Sequence, residues 1–429
     1  MVALRHHAEQ RFTCQQCGRC CRRGWDIAVT AAEVEGYRRA GISAAYSLTD
    51  SGTATATATG ASEPLEPFEP IPGHAGHFRI RKRADGACGF LSAENRCRIH
   101  EQLGGARKPL TCRLFPFEFH PVEGKAILTA SFACPTIVAN TGEPVTAQLR
   151  PLGALYAEWA REFPEPRRTV EFVAGRPLAP ATLGTLREVL RAMLDRTGPD
   201  GRRDLRASVG RMAALVDDLT RHRVLKLDAT RFAEYLELTG RYAAASERTT
   251  QPRRPSAVGR LLSRGFLFAV LSANEQVRAG HGGGLRLGLR ARLVRLLAHT
   301  HGVGPRVGEV DLGAGRRVSR ALDDPEVAAL VHHYLRAAIE DLGTGRRPVV
   351  DELVMAVALL DVAIEIAAMR TGRAGASTIH AEALTAGLLD SMEVAHVEAD
   401  SAYSRVLVAL AGGLDALFRF ASGGTTAEV

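Results

Sequence analysis

The sequence contains few lysines, few aromatic residues and no cysteine beyond residue 134. Its 55 basic residues are almost all arginine, and aromatic residues make up 6% of the chain. The four lysines are Lys82, Lys108, Lys125 and Lys226. A nucleic-acid groove would concentrate positive charge and interleave aromatic side chains. The net charge of +8 is instead spread through Ala-, Leu- and Gly-rich segments, so nucleic-acid binding is unsupported.

Long apolar runs are also missing. No stretch of about 18 uncharged apolar residues occurs, so we expect no membrane span. Residues 1–12 contain histidine and charged side chains but no apolar core of signal-peptide length. We therefore expect a cytoplasmic protein in a reducing compartment.

The eight cysteines all lie in the first third of the chain, and four of them fall within residues 14–21. They are Cys14, Cys17, Cys20, Cys21, Cys88, Cys97, Cys112 and Cys134. In a reducing cytosol, Cys-x-x-Cys patterns favour metal binding over structural disulfides. Adjacent Cys20 and Cys21 are also poorly placed to pair with each other. We interpret all eight as metal ligands; disulfides, redox thiols and buried structural cysteines are the alternatives.

Thiolates bind zinc in sets of four and hold iron–sulfur clusters in sets of four. A Cys-x-x-Cys-x-x-Cys run with a remote Cys-Pro is typical of a ferredoxin-type [4Fe–4S] cluster. This division joins Cys14, Cys17 and Cys20 to Cys134. The other set is Cys21, Cys88, Cys97 and Cys112, left for a second metal or a structural role. The sequence does not decide between zinc and iron–sulfur.

Short strands and loops are predicted around these cysteines. Residues 25–29 and 77–81 read as strands, and Thr30 with Glu33 forms a predicted capping box at the start of a helix. Phe115, Phe117 and Phe119 recur with period two, and with residues 126–132 they predict a β-hairpin. Such a module has little core of its own, so metal binding would supply part of its folding energy.

From Pro151 onward the chain lacks cysteine, and apolar residues recur at helical spacing. The predicted helices are 152–163, 183–196, 204–223, 228–246, 258–279, 285–301, 324–342, 349–370, 378–397 and 401–421. We predict an α+β protein: a cysteine-rich domain at 1–145 binding zinc or an iron–sulfur cluster, then an all-α domain at 146–429. Asp361 and Glu365, one helical turn apart, predict a polar helix face rather than a di-iron ligand pair.

The cysteine motifs resemble the CxxCxxCC family, a zinc- or iron-chelating domain. The resemblance lies in Phe12-x-Cys14-x-x-Cys17-Gly18-x-Cys20-Cys21, followed in order by Cys88-x-Phe90-Leu91, Cys97-x-Ile99, Lys108-Pro109-x-x-Cys112-Arg113-x-Phe115-Pro116 and Cys134-Pro135. It covers about residues 10–140. The chain departs from the family in its Thr/Ala-rich insertion after position 48 and in Lys108, where the family often has arginine.

Members with a long helical extension resemble flagellin lysine N-methylases, which are associated with an iron–sulfur cluster. This resemblance implies protein-lysine N-methylation, with flagellin as a protein substrate and S-adenosylmethionine as methyl donor. A candidate for a donor site is the Gly-rich stretch Val310-Asp311-Leu312-Gly313-Ala314-Gly315; such a turn should follow a strand and open a helix. The alternatives are a non-catalytic zinc- or iron-chelating scaffold and a thiol oxidoreductase using Cys14 and Cys17.

Overall fold

The computed structural model describes most of the chain. The described residues are 3–23, 26–42, 66–83, 85–122, 125–162, 169–245, 318–344, 347–398 and 413–422, with 267, 270, 306, 307, 310 and 311. Short strands dominate the first part and helices the rest, so the predicted α+β class is confirmed. No described helix combines the length and the apolar character needed to cross a membrane.

The described residues of the first part form three small sheets and several short helices. Its strands are β1 (Ala3–Arg5), β2 (Arg11–Phe12), β3 (Ala28–Thr30), β4 (Phe68–Pro70), β5 (His77–Ile80), β6 (Phe117–Val122), β7 (Lys125–Ala130) and β8 (Glu143–Pro144). Its helices are α1 (Ala31–Arg39), α2 (Arg98–Leu103), α3 (Leu110–Leu114) and α4 (Pro135–Val138). The sheets have the orders β1-β7-β6, β3-β5-β4 and β2-β8. Only the β1–β7 pair is parallel among the described pairs of these sheets.

The predicted capping box is confirmed at the start of α1. The Thr30 hydroxyl accepts a hydrogen bond from the Glu33 amide at 3.2 Å, and the Glu33 carboxylate accepts one from the Thr30 amide at 2.8 Å. The second oxygen of the Glu33 carboxylate accepts a bond from the amide of Leu110 at 3.0 Å. Glu33 therefore also fixes the start of α3, the helix that carries Cys112.

The predicted hairpin is formed by β6 and β7. Phe117 and Phe119 are buried while Glu118 between them is exposed, as expected for a strand with one face on a core. The ring of Phe119 contacts those of Tyr156 and Trp159, with centroids 5.3 and 5.9 Å apart. The hairpin thus packs against helix α5 (Leu149–Glu162).

The second part is helical. Its elements after α5 are α6 (Pro180–Leu194), α7 (Leu205–Leu219), α8 (His222–Leu225), α9 (Ala229–Ala245), the strands β9 (Arg306–Val307) and β10 (Val310–Asp311), and the helices α10 (Pro325–Asp341), α11 (Val349–Arg373), α12 (Ala381–Glu398) and α13 (Asp415–Ala421). Seven of the predicted helices match this order; of the helix predicted at 401–421, Asp415–Ala421 is helical and residues 401–412 lie outside the described residues. Those at 258–279 and 285–301 lie outside the described residues apart from 267 and 270.

Helix α11 is central and buried on nearly every side. It packs closely on α12 at Gly387, where an added Cβ would lie 2.2 Å from the carbonyl oxygen of Ala363. The largest hydrophobic core, to which α11 belongs, also includes Phe132, Cys134 and Ile137 from the first part of the chain. The cysteine-rich part and the helical part therefore share a core, and the division at residue 145 remains a prediction.

The predicted polar face at Asp361 and Glu365 is wrong. The Glu365 carboxylate is buried and accepts two bonds from Arg320, at 2.6 and 2.7 Å. Asp361 accepts one from the buried Arg419 at 2.8 Å. Arginines from distant segments cover these carboxylates, which a pattern within one helix cannot reveal.

Candidate metal centre

The cysteine run lies on an irregular loop after β2. Cys14 and Cys17 are exposed, and Cys20 begins a single turn of 3-10 helix, Cys20–Arg22. Gly18 has a φ of +70°, and a Cβ there would lie 2.7 Å from the carbonyl oxygen of Asn95. Glycine is therefore required at this position, because it allows the loop to lie against the 92–96 turn.

The later cysteines are positioned by short elements around this loop. The amide of Cys88 donates to the carbonyl of Cys21 at 2.7 Å, which joins the two segments directly. Cys97 pairs with Leu91 and stands just before α2, while Cys112 lies within α3. Cys134 immediately precedes Pro135 at the start of α4. All eight cysteines are free thiols in the structure.

Seven of the eight predicted ligands line one pocket. Its internal space is about 590 Å³, including the part open to solvent. The thiols in its wall are those of Cys14, Cys17, Cys20, Cys21, Cys97, Cys112 and Cys134. Cys88 is buried and is not part of the wall; it packs in a hydrophobic cluster with Cys21, Cys97 and Cys112. The fold thus brings together thiols from both ends of the cysteine-rich segment.

Cys20 and Cys21 interact through their side chains. Their sulfur atoms lie 3.9 Å apart, within hydrogen-bonding distance for thiols. This hydrogen bond lowers the pKa of the Cys20 thiol, against the opposing effect of burial. The same bond, with burial, raises the pKa of the Cys21 thiol. The pair therefore favours one thiolate that accepts a hydrogen bond from the neighbouring thiol.

Burial raises the pKa of the Cys88, Cys112 and Cys134 thiols. These groups remain protonated in the metal-free protein at neutral pH. Because zinc and iron bind the thiolate, loading the pocket must release protons. A positive charge near these sulfurs would favour that step.

Lys108 supplies that charge; the sequence motif marked this residue as a departure from the family, but did not predict that its charge lies beside the proposed metal ligands. Its half-buried side chain lines the pocket. Burial opposes the charged form, yet its pKa is raised because Cys112, Cys20, Cys14 and Cys97 surround the ammonium group. The available signal was its position four residues before Cys112, in a chain whose cations are almost all arginine.

Arg19 and Arg22, which lie within and directly after the cysteine run, interact with residues outside the run. Arg19 pairs with Asp390 at 3.3 Å, and Arg22 donates to the side-chain oxygen of Asn95 at 2.9 Å. They hold the loop in place. His100 also lines the pocket, and its Nε2 lies 3.4 Å from the side-chain amide nitrogen of Gln16.

The donor chemistry of the pocket fits a soft metal, since zinc and iron–sulfur clusters both take cysteine sulfur. Within the described parts of the chain, no three His, Cys, Asp or Glu side chains are grouped as they would be around a bound ion. Rotation about χ1 moves each sulfur between staggered positions. Cys14 and Cys17 are exposed and therefore free to turn inward.

A sulfur-lined pocket in a loop-rich module is typical of zinc and iron–sulfur proteins. Comparison with protein families agrees: residues 13–135 match the CxxCxxCC family model, described as "Putative zinc- or iron-chelating domain". The matched segment contains all eight cysteines. Comparisons with curated proteins and with solved structures give no significant match.

The Gly-rich stretch considered as a methyl-donor site is partly described. Val310 and Asp311 form β10, which pairs antiparallel with β9 in a two-stranded sheet. Residues 312–317, which include Gly313 and Gly315, lie outside the described residues. The expected setting was a strand leading into a helix within an α/β fold, whereas the described part is a two-residue strand in a two-stranded sheet.

Proposed function

We propose that this protein binds zinc or iron through the thiols of the cysteine pocket. The observation that carries the proposal is the convergence of seven thiols, from Cys14 to Cys134, on one pocket. The match of residues 13–135 to a zinc- or iron-chelating family supports the same chemistry. The eight side chains proposed as ligands are those of Cys14, Cys17, Cys20, Cys21, Cys88, Cys97, Cys112 and Cys134.

The metal is tested by purifying the full chain under nitrogen and measuring zinc, iron and acid-labile sulfide per chain. A brown protein with about four iron and about four sulfide per chain supports a [4Fe–4S] cluster. A colourless protein with zinc alone supports zinc and excludes the cluster. Protein that contains neither metal, and takes up neither after reduction of its thiols, contradicts the proposal.

For the iron–sulfur form we propose that Cys14, Cys17, Cys20 and Cys134 hold the cluster. The spacing of the first three and the Cys134-Pro135 pair are typical of ferredoxin-type ligands. All four sulfurs lie in the pocket wall. The half-buried Lys108 ammonium would offset part of the negative charge of a thiolate-ligated cluster.

A finer proposal is protein-lysine N-methylation with S-adenosylmethionine as donor and flagellin as substrate. Its support is the resemblance of the cysteine blocks, followed by a long helical region, to flagellin lysine N-methylases. Incubation of the metal-loaded protein with flagellin and S-adenosylmethionine should add 14 Da steps to flagellin by mass spectrometry. An unchanged mass with the metal centre intact would favour the alternative, a non-catalytic chelating or scaffold protein. Reduced thiols as ligands also support a cytoplasmic location.

A further inference from the structure

The eight thiols differ in what surrounds them. Cys88 is buried in a hydrophobic cluster separate from the large helical core, and Cys21, Cys97 and Cys112 pack against that cluster. None of the other four thiols belongs to it. Its apolar members come from β3, α1, β4, β5, α2 and the loops beside them, including residues 87–91, so these four thiols share a small core of their own.

The other four thiols, those of Cys14, Cys17, Cys20 and Cys134, lie outside this cluster. Cys14 and Cys17 are exposed on the loop after β2. Cys134 is buried in the large helical core, and Cys20 adjoins Cys21 at the boundary between the two groups. This second set therefore bridges the loop and the helical region, with two of its sulfurs open to solvent.

We infer that the protein has two separate metal centres of different accessibility, an inference that rests on the proposed metal binding. The inner centre uses Cys21, Cys88, Cys97 and Cys112, and the outer centre uses Cys14, Cys17, Cys20 and Cys134. Structural zinc sites have four protein ligands and are closed, whereas reactive centres are accessible. The inner centre holds the module together, and the outer centre is the one that exchanges metal with, or reacts with, molecules from solution.

The backbone supports the closed character of the inner centre. The hydrogen bond from the Cys88 amide to the Cys21 carbonyl holds two of its ligands together without a metal. Cys97 is held by its pairing with Leu91, and Cys112 by the bond from the Leu110 amide to Glu33. Cys21, Cys88 and Cys97 are thus held by main-chain contacts, and Cys112 lies on a helix whose start is bonded to Glu33.

The test uses full-length protein loaded with Zn²⁺ under nitrogen and challenged with the chromogenic chelator 4-(2-pyridylazo)resorcinol. We expect about two zinc ions per chain, one for each set of four thiolates, released in two kinetic phases. Cys14→Ser and Cys17→Ser should lose the fast phase alone and lower the thermal midpoint of the protein less than the inner variants do. Cys97→Ser and Cys112→Ser should lose the slow phase and lower that midpoint.

If the Cys97→Ser and Cys112→Ser variants do not fold, the wild-type protein alone still tests the two-centre inference. After the fast phase alone, alkylation with iodoacetamide and peptide mass mapping should label Cys14 and Cys17 but leave Cys88, Cys97 and Cys112 unlabelled. One zinc per chain, a single release phase or uniform labelling would overturn the two-centre inference while leaving metal binding intact. Absence of bound zinc and iron would instead overturn the proposed function itself.

Discussion

The guanidinium of Arg19 lies 3.3 Å from the carboxylate of Asp390, although the two residues are 371 positions apart in sequence. Arg19 stands in the middle of the cysteine run, and Asp390 is a buried residue of α12. The other oxygen of this carboxylate accepts a bond from Arg370 of α11 at 2.5 Å. One carboxylate therefore joins the cysteine loop to the two most tightly packed helices.

Replacing this carboxylate should loosen the loop. In Asp390→Asn, Arg19 and Arg370 lose a charged partner, and we expect the free energy of unfolding to fall by about 1–3 kcal/mol. Metal release from the outer thiols should also be faster, because Cys20 is adjacent to Arg19. Chemical denaturation and chelator kinetics measure the two effects. Arg241→Gln, which removes an exposed pair with Glu237, is the matched control and should change neither.

A double-mutant cycle separates the Arg19 contact from the Arg370 contact. If Arg19→Gln and Asp390→Asn act through their shared ion pair, their effects on stability should be non-additive by about 0.5–3 kcal/mol. Strict additivity would show that the observed proximity carries no energy. The cycle is measured on metal-loaded protein by urea denaturation, so that loss of metal does not alter the reference state.

Lys108→Met should weaken metal binding. The substitution keeps most of the side-chain volume but removes the charge beside Cys112 and Cys20, and loss of such an outer partner typically costs about 10–100-fold in metal affinity. Competition with a chelator of known affinity measures this change. Lys108→Arg should restore most of the affinity. Lys226→Met, on an exposed residue outside the pocket, should have no effect.

The same variant makes a second prediction for metal-free protein. Lys108 lowers the pKa of the Cys20 and Cys112 thiols, so without its ammonium group these two thiols should ionise at higher pH, which thiolate absorbance and alkylation rates report. If Lys108→Met lowers the free energy of unfolding but leaves the thiolate titration unchanged, then Lys108 has a packing role only. Recovery of the titration by Lys108→Arg would instead identify charge as its contribution.

His7 should make stability depend on pH. Its ring lies edge-on to that of His333, with centroids 6.1 Å apart, and neither of its nitrogens has a hydrogen-bond partner among the described residues. Burial, with the His333 ring beside it, lowers the pKa of His7 to about 4. The unfolded chain therefore binds a proton that the folded chain excludes, and stability falls as pH drops from about 6.5 to about 4.

His7→Asn should make this dependence shallower. The comparison is the slope of unfolding free energy against pH, measured for metal-free and metal-loaded protein so that proton uptake by the thiols is separated. His222→Asn, on an exposed ring, should leave the slope as it is. An identical slope in wild type and His7→Asn would show that His7 does not contribute.

Glu365→Gln should be among the most destabilising single changes in the helical part. Arg320 and Glu365 are 8% and 9% exposed, and the substitution leaves the guanidinium buried without its charged partner. Breaking a buried pair in this way typically costs about 3–5 kcal/mol. Thermal and chemical denaturation measure the loss. A matched change in an exposed pair, Asp228→Asn, should stay within about 0.5 kcal/mol.

Features encoded locally in the sequence were predictable. The capping box needs only Thr30 and Glu33, and the β6 strand needs only the alternation of Phe117 and Phe119 with polar residues. The pocket was predictable in outline because eight cysteines confined to the first third of the chain have few physical explanations. The expectation that these thiols lie close together comes from the need of a metal for several thiolate ligands, and no single local pattern predicts it.

Long-range pairings were not predictable. Neither segment alone contains a pattern that predicts the parallel pairing of Ala3–Arg5 with residues 125–127. Arg19 with Asp390, and Glu365 with Arg320, are likewise joined only by the complete fold. Period and composition report which face of an element is apolar, but they do not report which distant charge will cover a polar residue on it.

The burial of Cys134 in the helical core has a consequence for biosynthesis. About 120 residues separate Cys14 from Cys134, and at typical translation rates of 5–20 residues per second roughly 6–24 s pass between their synthesis. Cys134 then acquires its native surroundings only after helices near residue 420 have emerged from the ribosome. In the newly made chain, the Cys134 thiol therefore lacks its native surroundings until α13 docks.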